Sequence, residues 1–174
     1  KTGGGTLVLT GANSYTGATT IGAGELVVER DTLSFSTSGY SGAGTLTVRS
    51  ASASFASAYT FNAPVSSLGG LTIGRAGNAS AVTVANPLSV AGAITIHGGS
   101  VTLNANLSTT NTATGDVVIN ATGLAGSGNI ALAAGRGLSI TQSSDSSYSG
   151  AVSGAGATLS KDGAGTLTLS GASS

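Results

Sequence analysis

The chain has 174 residues, of which 7% are charged, 40% are apolar and 29 are glycine. Its six basic residues balance six acidic ones and are scattered singly, which excludes the basic stripe that a nucleic-acid partner requires. The absence of cysteine excludes a disulfide framework, and no stretch approaches the ~20 continuous apolar residues of a transmembrane helix.

Short runs of alternating apolar and small polar residues recur through the chain, each closed by glycine or asparagine. This period-2 pattern and the many β-branched residues predict β-strands, and frequent glycine keeps helices from propagating. In chain order the predicted strands are Thr6–Leu9, Glu25–Val28, Thr45–Val48, Leu71–Ile73, Val82–Val84, Ile94–Ile96, Val101–Leu103, Val117–Ile119, Ile130–Leu132, Leu138–Ile140 and Thr166–Leu169. The sequence therefore predicts an all-β chain.

The strands also follow a longer period. One strand of each group starts at Leu7, Leu26, Leu46, Leu71, Ile94, Val117, Leu138 and Leu167. Most of these starts follow one another at similar intervals, the last interval is the longest, and secondary strands lie between them. A period of roughly 20 residues is typical of one rung of a β-helix. We predict a single-stranded parallel β-helix of about eight rungs that covers residues 1–174 as one continuous segment.

Each predicted rung has an inside and an outside. In the Leu-Thr-Leu units the two apolar side chains face a narrow bore, whereas the middle threonine faces water. Glycine and asparagine, Asn78 among them, are expected at corners where φ is positive. Outward threonines such as Thr47, Thr72 and Thr95 suggest the flat array of an ice-binding solenoid, but outward residues such as Val118 interrupt the column. The pattern favours threonine as a strand former that tolerates water.

One segment occurs twice. KTGGGTLVLTGANS at residues 1–14 returns as KDGAGTLTLSGASS at residues 161–174, so Lys161 takes the place of Lys1. Residues 1–28 combine GGGTLVLTGANSYTG with a second strand that follows Gly24, and residues 148–174 contain the lead-in and start of a second copy. These two modules resemble the passenger-associated transport repeat of autotransporters.

The resemblance implies a right-handed parallel β-helix in the passenger of a type V secretion protein, exported across the outer membrane of a Gram-negative cell and displayed or released outside. It also implies a role of the repeat in transport and folding, without catalytic residues. Because the chain begins at Lys1 rather than at Met, we expect a piece of a longer protein. The expected function is a structural stalk of a surface adhesin, with neighbouring solenoid segments as partners and self-association as a further possibility.

The residues themselves give little support for an enzyme. His97 is the single histidine, so no second histidine or cysteine could share a metal or a proton with it. The six carboxylates fall on different rungs, so the paired acids of a glycosidase are not predicted. We expect no catalytic residue, no metal and no cofactor. Three alternatives stay open: a self-assembling fibre subunit, a carbohydrate-active β-helix enzyme, and an ice- or glycan-binding solenoid.

Aromatic residues are concentrated in one part of the chain. Phe35, Tyr40, Phe55 and Tyr59 lie close together in the sequence, and residues 31–62 also break the rung spacing. One interpretation is a protruding loop whose rings contact a host receptor or glycan. The other is that the rings fill or cap the bore, and the pattern favours this second interpretation.

Overall fold

The computed structural model describes residues 1–32 and 38–174, and the regular elements within these ranges are all β-strands. In chain order they are β1 (Thr6–Leu9), β2 (Thr19–Thr20), β3 (Glu25–Glu29), β4 (Tyr40–Ser41), β5 (Thr45–Arg49), β6 (Tyr59–Phe61), β7 (Val65–Leu68), β8 (Gly70–Ile73), β9 (Val82–Val84), β10 (Leu88–Val90), β11 (Ile94–His97), β12 (Val101–Leu103), β13 (Leu107–Thr109), β14 (Val117–Ala121), β15 (Leu124–Gly126), β16 (Ile130–Ala131), β17 (Gly137–Gln142), β18 (Ser146–Tyr148), β19 (Val152–Ser153), β20 (Thr158–Asp162) and β21 (Leu167–Leu169).

These strands form three faces of a solenoid. Face A contains eight strands in the order β1-β3-β5-β8-β11-β14-β17-β20, and face B contains seven in the order β2-β4-β7-β10-β13-β16-β19. Face C contains β6, β9, β12 and β15, and it is continued by the pair β18 and β21, since β18 lies directly beside β15. The chain visits the faces in the order B, A, C, and neighbouring strands pair in parallel. The predicted all-β parallel solenoid of about eight turns is confirmed.

The register between rungs stacks similar side chains on each other. Along face A, the interval between register partners is shortest from Leu7 to Leu26 and longest from Leu46 to Leu71. Two apolar columns from this face line the bore, and they are buried from the second strand to the seventh. They consist of Leu26, Leu46, Leu71, Ile94, Val117 and Leu138, and of Val28, Val48, Ile73, Ile96, Ile119 and Ile140. Each inner rung is therefore held by its two neighbours, whose apolar side chains stack with its own in one continuous core.

The last rung differs from the placement that the sequence predicts. The spacing puts Leu167 at the start of the eighth rung, but the eighth strand of face A is β20, whose Leu159 pairs with Leu138. Leu167 lies on face C, where it pairs with Ser146. The long interval between Leu138 and Leu167 thus combines one full rung with a step to the next face.

The corners of the rungs use glycine and asparagine differently. Gly42 has a φ of 112°, and a Cβ atom there would overlap the carbonyl group of Ile21 on the preceding rung, so this position requires glycine. The predicted positive φ at asparagine corners is wrong: Ser67 is the one non-glycine residue with positive φ in the described ranges. Asn78 instead uses its side chain, whose Nδ2 donates to the carbonyl oxygens of Ser80 and His97 at 3.2 and 2.9 Å.

Candidate functional site

Most of the predicted aromatic contact region lies inside the bore. Tyr40, Phe55 and Tyr59 are 2%, 4% and 7% exposed. The ring centroids of Phe55 and Tyr59 are 4.6 Å apart, and those of Tyr40 and Phe61 are 6.4 Å apart. Phe35, the fourth residue of the predicted region, lies outside the described residues.

Burial also determines the chemistry of these rings. Desolvation raises the pKa of Tyr40 and of Tyr59 above the ordinary value of 10.0, because a buried phenolate would lose its hydration. Both hydroxyls are therefore protonated at physiological pH, and the rings serve as bulky filling for the bore. This placement matches the second of the two interpretations that the sequence left open. Contact of this region with a receptor or glycan stays a prediction.

A ladder of charged side chains crosses three consecutive rungs at the corner between faces A and C. One carboxylate oxygen of Glu29 accepts a hydrogen bond from Nε of Arg49 at 2.6 Å and forms an ion pair with Nη2 of the same side chain, also at 2.6 Å. The same oxygen lies 3.4 Å from Nη2 of Arg75, one rung further on. All three side chains are partly exposed, so solvent screens the ion pairs and limits what they contribute to stability. The ladder fixes side-chain positions on the outside of the second, third and fourth rungs.

Sequence reasoning missed this ladder. The cluster of Glu29, Arg30 and Asp31 is typical of a local, solvated turn, and its closeness in sequence hides partners on other rungs. The rung period could have predicted the ladder, because Arg49 lies one rung after Glu29 and is its register partner. Asp31 likewise bonds across rungs: its Oδ1 accepts the amide N–H and the hydroxyl of Ser52, both at 2.7 Å.

The outward column of face A carries three threonines in succession. Thr47, Thr72 and Thr95 are register partners, and a groove of about 370 Å³ lies beside them where Gly70 leaves space. Thr47 donates its hydroxyl to Oε1 of Glu25 at 2.7 Å, at one end of this groove. Above and below, the column continues with Val8, Val27, Val118, Ser139 and Ser160. Three hydroxyls offer a short polar strip rather than a flat threonine array.

His97 lies at the end of β11 and is half-buried. Burial lowers its pKa below the ordinary 6.5, so the imidazole is neutral at pH 7. Its register partner is Asn120, and both line a shallow groove of about 320 Å³. The residues that line this groove include no second ionisable side chain that could share a proton with the imidazole.

Two of the remaining carboxylates, Asp116 and Asp145, connect neighbouring rungs. Asp116 lies 3.6 Å from Nη1 of Arg136, and Asp145 accepts the amide N–H of Thr166 at 2.6 Å. That backbone hydrogen bond lowers the pKa of Asp145 below its ordinary 3.8. Within residues 1–32 and 38–174, no three His, Asp or Glu side chains form a group that could hold a metal ion. In the same ranges, no helix has the length and apolar character needed to cross a membrane.

The two copies of the repeated segment share a local contact. Nζ of Lys1 donates to the carbonyl oxygen of Gly3 at 2.6 Å, and Nζ of Lys161 donates to that of Gly163 at 2.5 Å. Lys1 also reaches the next rung, where its Nζ donates to the carbonyl oxygen of Ala23 at 2.7 Å. The lysine at the start of each copy therefore makes the same local contact with the glycine two residues later.

Exposed apolar groups are concentrated on the first and last rungs. In the described part of the chain, the large apolar side chains with the greatest exposure are Leu7, Val8, Tyr15 and Leu159. A groove of about 440 Å³ opens beside Leu159, and Leu132, Val152 and Leu169 complete its apolar lining. These end surfaces are chemically unlike the polar sides of the rod.

The comparison with protein families gave one finding. Residues 1–28 and 159–174 match the family described as the passenger-associated transport repeat. Both copies of the repeated segment fall within the matched residues, and residues 29–158 fall outside them. The second module predicted from the sequence started at residue 148, upstream of the matched part. No match was found among curated proteins, and none among solved structures.

Proposed function

We propose that this chain is a stalk segment of an autotransporter passenger, which displays adhesive regions of a surface protein and aids its own export and folding. The chain carries passenger-associated transport repeats, and its parallel β-solenoid fits an autotransporter passenger. That repeat family implies export to the cell surface or extracellular space. It is a structural family that is not known for catalysis, and our proposal assigns the chain a mechanical role.

The observation that carries the proposal is the continuity of face A. Its eight strands pair without interruption from β1 to β20, and two buried apolar columns run beneath them. In such a one-dimensional array each folded rung is the template for the next, so folding propagates along the rod. Rungs that fold outside the membrane would hinder backsliding of the exported chain, and the finished rod would hold neighbouring segments at a distance from the cell.

A matched pair of glycine substitutions tests this role. Gly24 lies in the first repeat with a φ of 66°, and a Cβ there would overlap the carbonyl oxygen of Gly5. Gly4 lies in the same repeat with nothing within 4 Å, and the second copy has Ala164 at the equivalent position. With the chain placed in an exported reporter that has an outer-membrane anchor, we expect Gly24→Ala to reduce surface display several-fold and Gly4→Ala to leave it unchanged.

The readout is antibody labelling of intact cells, normalised to total reporter. Urea unfolding of the two purified variants provides the control, because Gly24→Ala must lower stability for the comparison to be informative. Equal display of both variants, despite a less stable Gly24→Ala rod, would show that folding of the repeat does not drive export. The stalk proposal would then lose its export and folding component.

A self-assembling fibre subunit is the second candidate, favoured by the exposed apolar groups on the end rungs. Sedimentation velocity of the purified chain over a range of concentrations tests it. If the ends associate, Leu159→Lys should abolish the larger species, whereas Thr95→Lys, on the side of the rod, should leave them in place. A chain that sediments as a monomer at all concentrations rules this candidate out.

A further inference from the structure

The two copies of the repeated segment lie on different faces of the solenoid. In the first copy the Thr-Leu-Val-Leu strand is β1, which belongs to face A and pairs with β3. In the second copy the equivalent strand is β21, which belongs to face C and pairs with β18. Between β1 and β20 the chain returns to face A seven times, and β21 follows one face later. The offset between the two copies therefore equals seven turns plus one face.

We propose that copies of this chain joined in one polypeptide continue as a single solenoid in which the faces advance by one position per copy. The strand Glu25–Glu29 of the second copy would then pair with β21, as it pairs with β1 here, and face A of the second copy would extend face C of the first. The competing arrangement keeps the faces in line and pairs the same strand with β20. The proposal does not depend on the role in export.

The end of the described chain already follows the first arrangement. The amide of Ser174 donates to the carbonyl oxygen of Val152 at 3.1 Å, so the chain has reached face B, beside β19, by its last residue. In the rung below, face A begins at Thr158, six residues after Val152. If Tyr15 of a second copy directly follows Ser174, the two residues of strand β2 in that copy, Thr19 and Thr20, are the fifth and sixth residues after Ser174. That strand therefore falls on face A beside β20, and β3 of the second copy falls on face C.

Rung lengths favour the same arrangement. Pairing with β21 puts Leu26 of the second copy beside Leu167, which repeats the rung that runs here from Leu7 to Leu26. Pairing with β20 would put that residue beside Leu159, one face earlier in the chain, and would lengthen the rung accordingly. The lengthened rung would exceed even the longest rung on face A, which runs from Leu46 to Leu71, so it would lack a precedent in this chain.

The second copy of the segment also carries the side chains that the first uses to hold the next rung. Lys161 bonds to Gly163 as Lys1 bonds to Gly3, and Lys1 has one further acceptor, the carbonyl oxygen of Ala23. The joined second copy would supply that acceptor to Lys161. Leu167 and Leu169 pack against the core and are only partly covered, so a further rung would complete their burial.

Such a shift would decide where surface features are displayed. The charged ladder of Glu29, Arg49 and Arg75 would reappear at the next corner in the second copy and return to its first corner only in the fourth. An array of this chain would therefore present the same group in three directions around the rod. In the competing arrangement every copy would present it on one side.

Cysteine pairs distinguish the two arrangements, because the chain has no cysteine of its own. The test protein joins residues 1–174 to residues 15–174 of a second copy and carries Glu25→Cys in that copy. One version also carries Thr166→Cys in the first copy, which reports on pairing with β21. The other carries Thr158→Cys in the first copy, which reports on pairing with β20. The control is the single chain with Thr6→Cys and Glu25→Cys, whose Cα atoms are register partners on adjacent strands, within reach of a disulfide.

We expect mild oxidation to form the disulfide in the Thr166→Cys version as completely as in the control. In the Thr158→Cys version we expect no disulfide to form. Cross-linking of the Thr158→Cys version instead would overturn the proposal in favour of aligned faces. If neither version cross-links while the control does, the copies do not stack and the proposal fails. The second measurement is amide exchange of the cysteine-free joined protein. Residues 167–169 of the first copy must exchange more slowly than in the single chain, and unchanged exchange of these residues also refutes the proposal.

Discussion

Replacing Ile96 with alanine tests whether the stacked columns stabilise the rod. Ile96 is fully buried in the middle of the rod, with Ile73 and Ile119 as register partners on either side. The change removes three carbon atoms, at about 0.8 kcal/mol each for lost burial. Hydrogen-bonded strands on both sides keep the backbone from closing the space, which adds about 1–2 kcal/mol for the cavity. We expect Ile96→Ala to lower the free energy of unfolding by about 4 kcal/mol.

The matched control is Thr95→Ala, one residue earlier on the same strand with its side chain directed outward and half-exposed. Its removal opens no internal cavity, so we expect a loss below about 1 kcal/mol. Equilibrium urea unfolding followed by circular dichroism measures both values, and amide exchange of residues 94–97 shows whether opening is local or extends along the rod. If the two variants lose stability equally, the columns are not the main source of cohesion and our reasoning is wrong.

Three further predictions concern single side chains. Gly42→Ala should destabilise the rod by more than about 2 kcal/mol in urea unfolding, because its Cβ would overlap a carbonyl of the preceding rung, whereas Gly11→Ala, with open space around it, should be neutral. The hydrogen bonds from Ser52 hold the pKa of Asp31 below 3.8 in the folded chain. The stability that the Asp31 carboxylate contributes is therefore present above pH 3.8 and is lost as the pH falls through the lower folded pKa. Asp31→Asn should flatten the acid side of the stability–pH curve, and an unchanged curve would contradict this. Tyr148→Phe should cost about 1–2 kcal/mol in urea unfolding, because the hydroxyl donates to a buried carbonyl. Burial raises the pKa of Tyr148 to about 12, so absorbance titration of the wild type against this variant should show the ring still protonated at its ordinary pKa of 10.0.

The strands and the rung period were predictable because both depend on local, repeated chemistry. A unit such as Leu46-Thr47-Val48 has one polar residue between two apolar ones, and burial of alternate residues leaves it only one stable environment. Similar units recur once per rung, and stacking lets many short strands bury their apolar sides together. The repeated segment at the two ends then connected this architecture to a family of exported proteins.

The faces and the charged ladder were not predictable from local patterns. Leu167 looks like every other start of a rung, and only its pairing with Ser146 places it on face C. Rung length varies, so a residue's face depends on the sum of all preceding insertions rather than on its own neighbours. The contact between Glu29 and Arg75 has the same origin, because it joins residues 46 positions apart that share a corner only when the intervening loops have the right lengths.

The irregular third rung shows how the solenoid tolerates such variation. The loop between β5 and β6 lengthens its rung, yet it is attached to the rungs on both sides. Below it, Ser52 donates to Asp31; above it, Ser80 donates its hydroxyl to the carbonyl oxygen of Phe55 at 2.6 Å. The Phe55 ring meanwhile packs against Tyr59 inside the bore. Because cross-rung hydrogen bonds and one inserted ring replace the regular ladder there, a rung can gain residues while the columns of face A stay in register. The stalk role that we propose requires this property, since each insertion changes the outside of the rod and leaves its inside continuous.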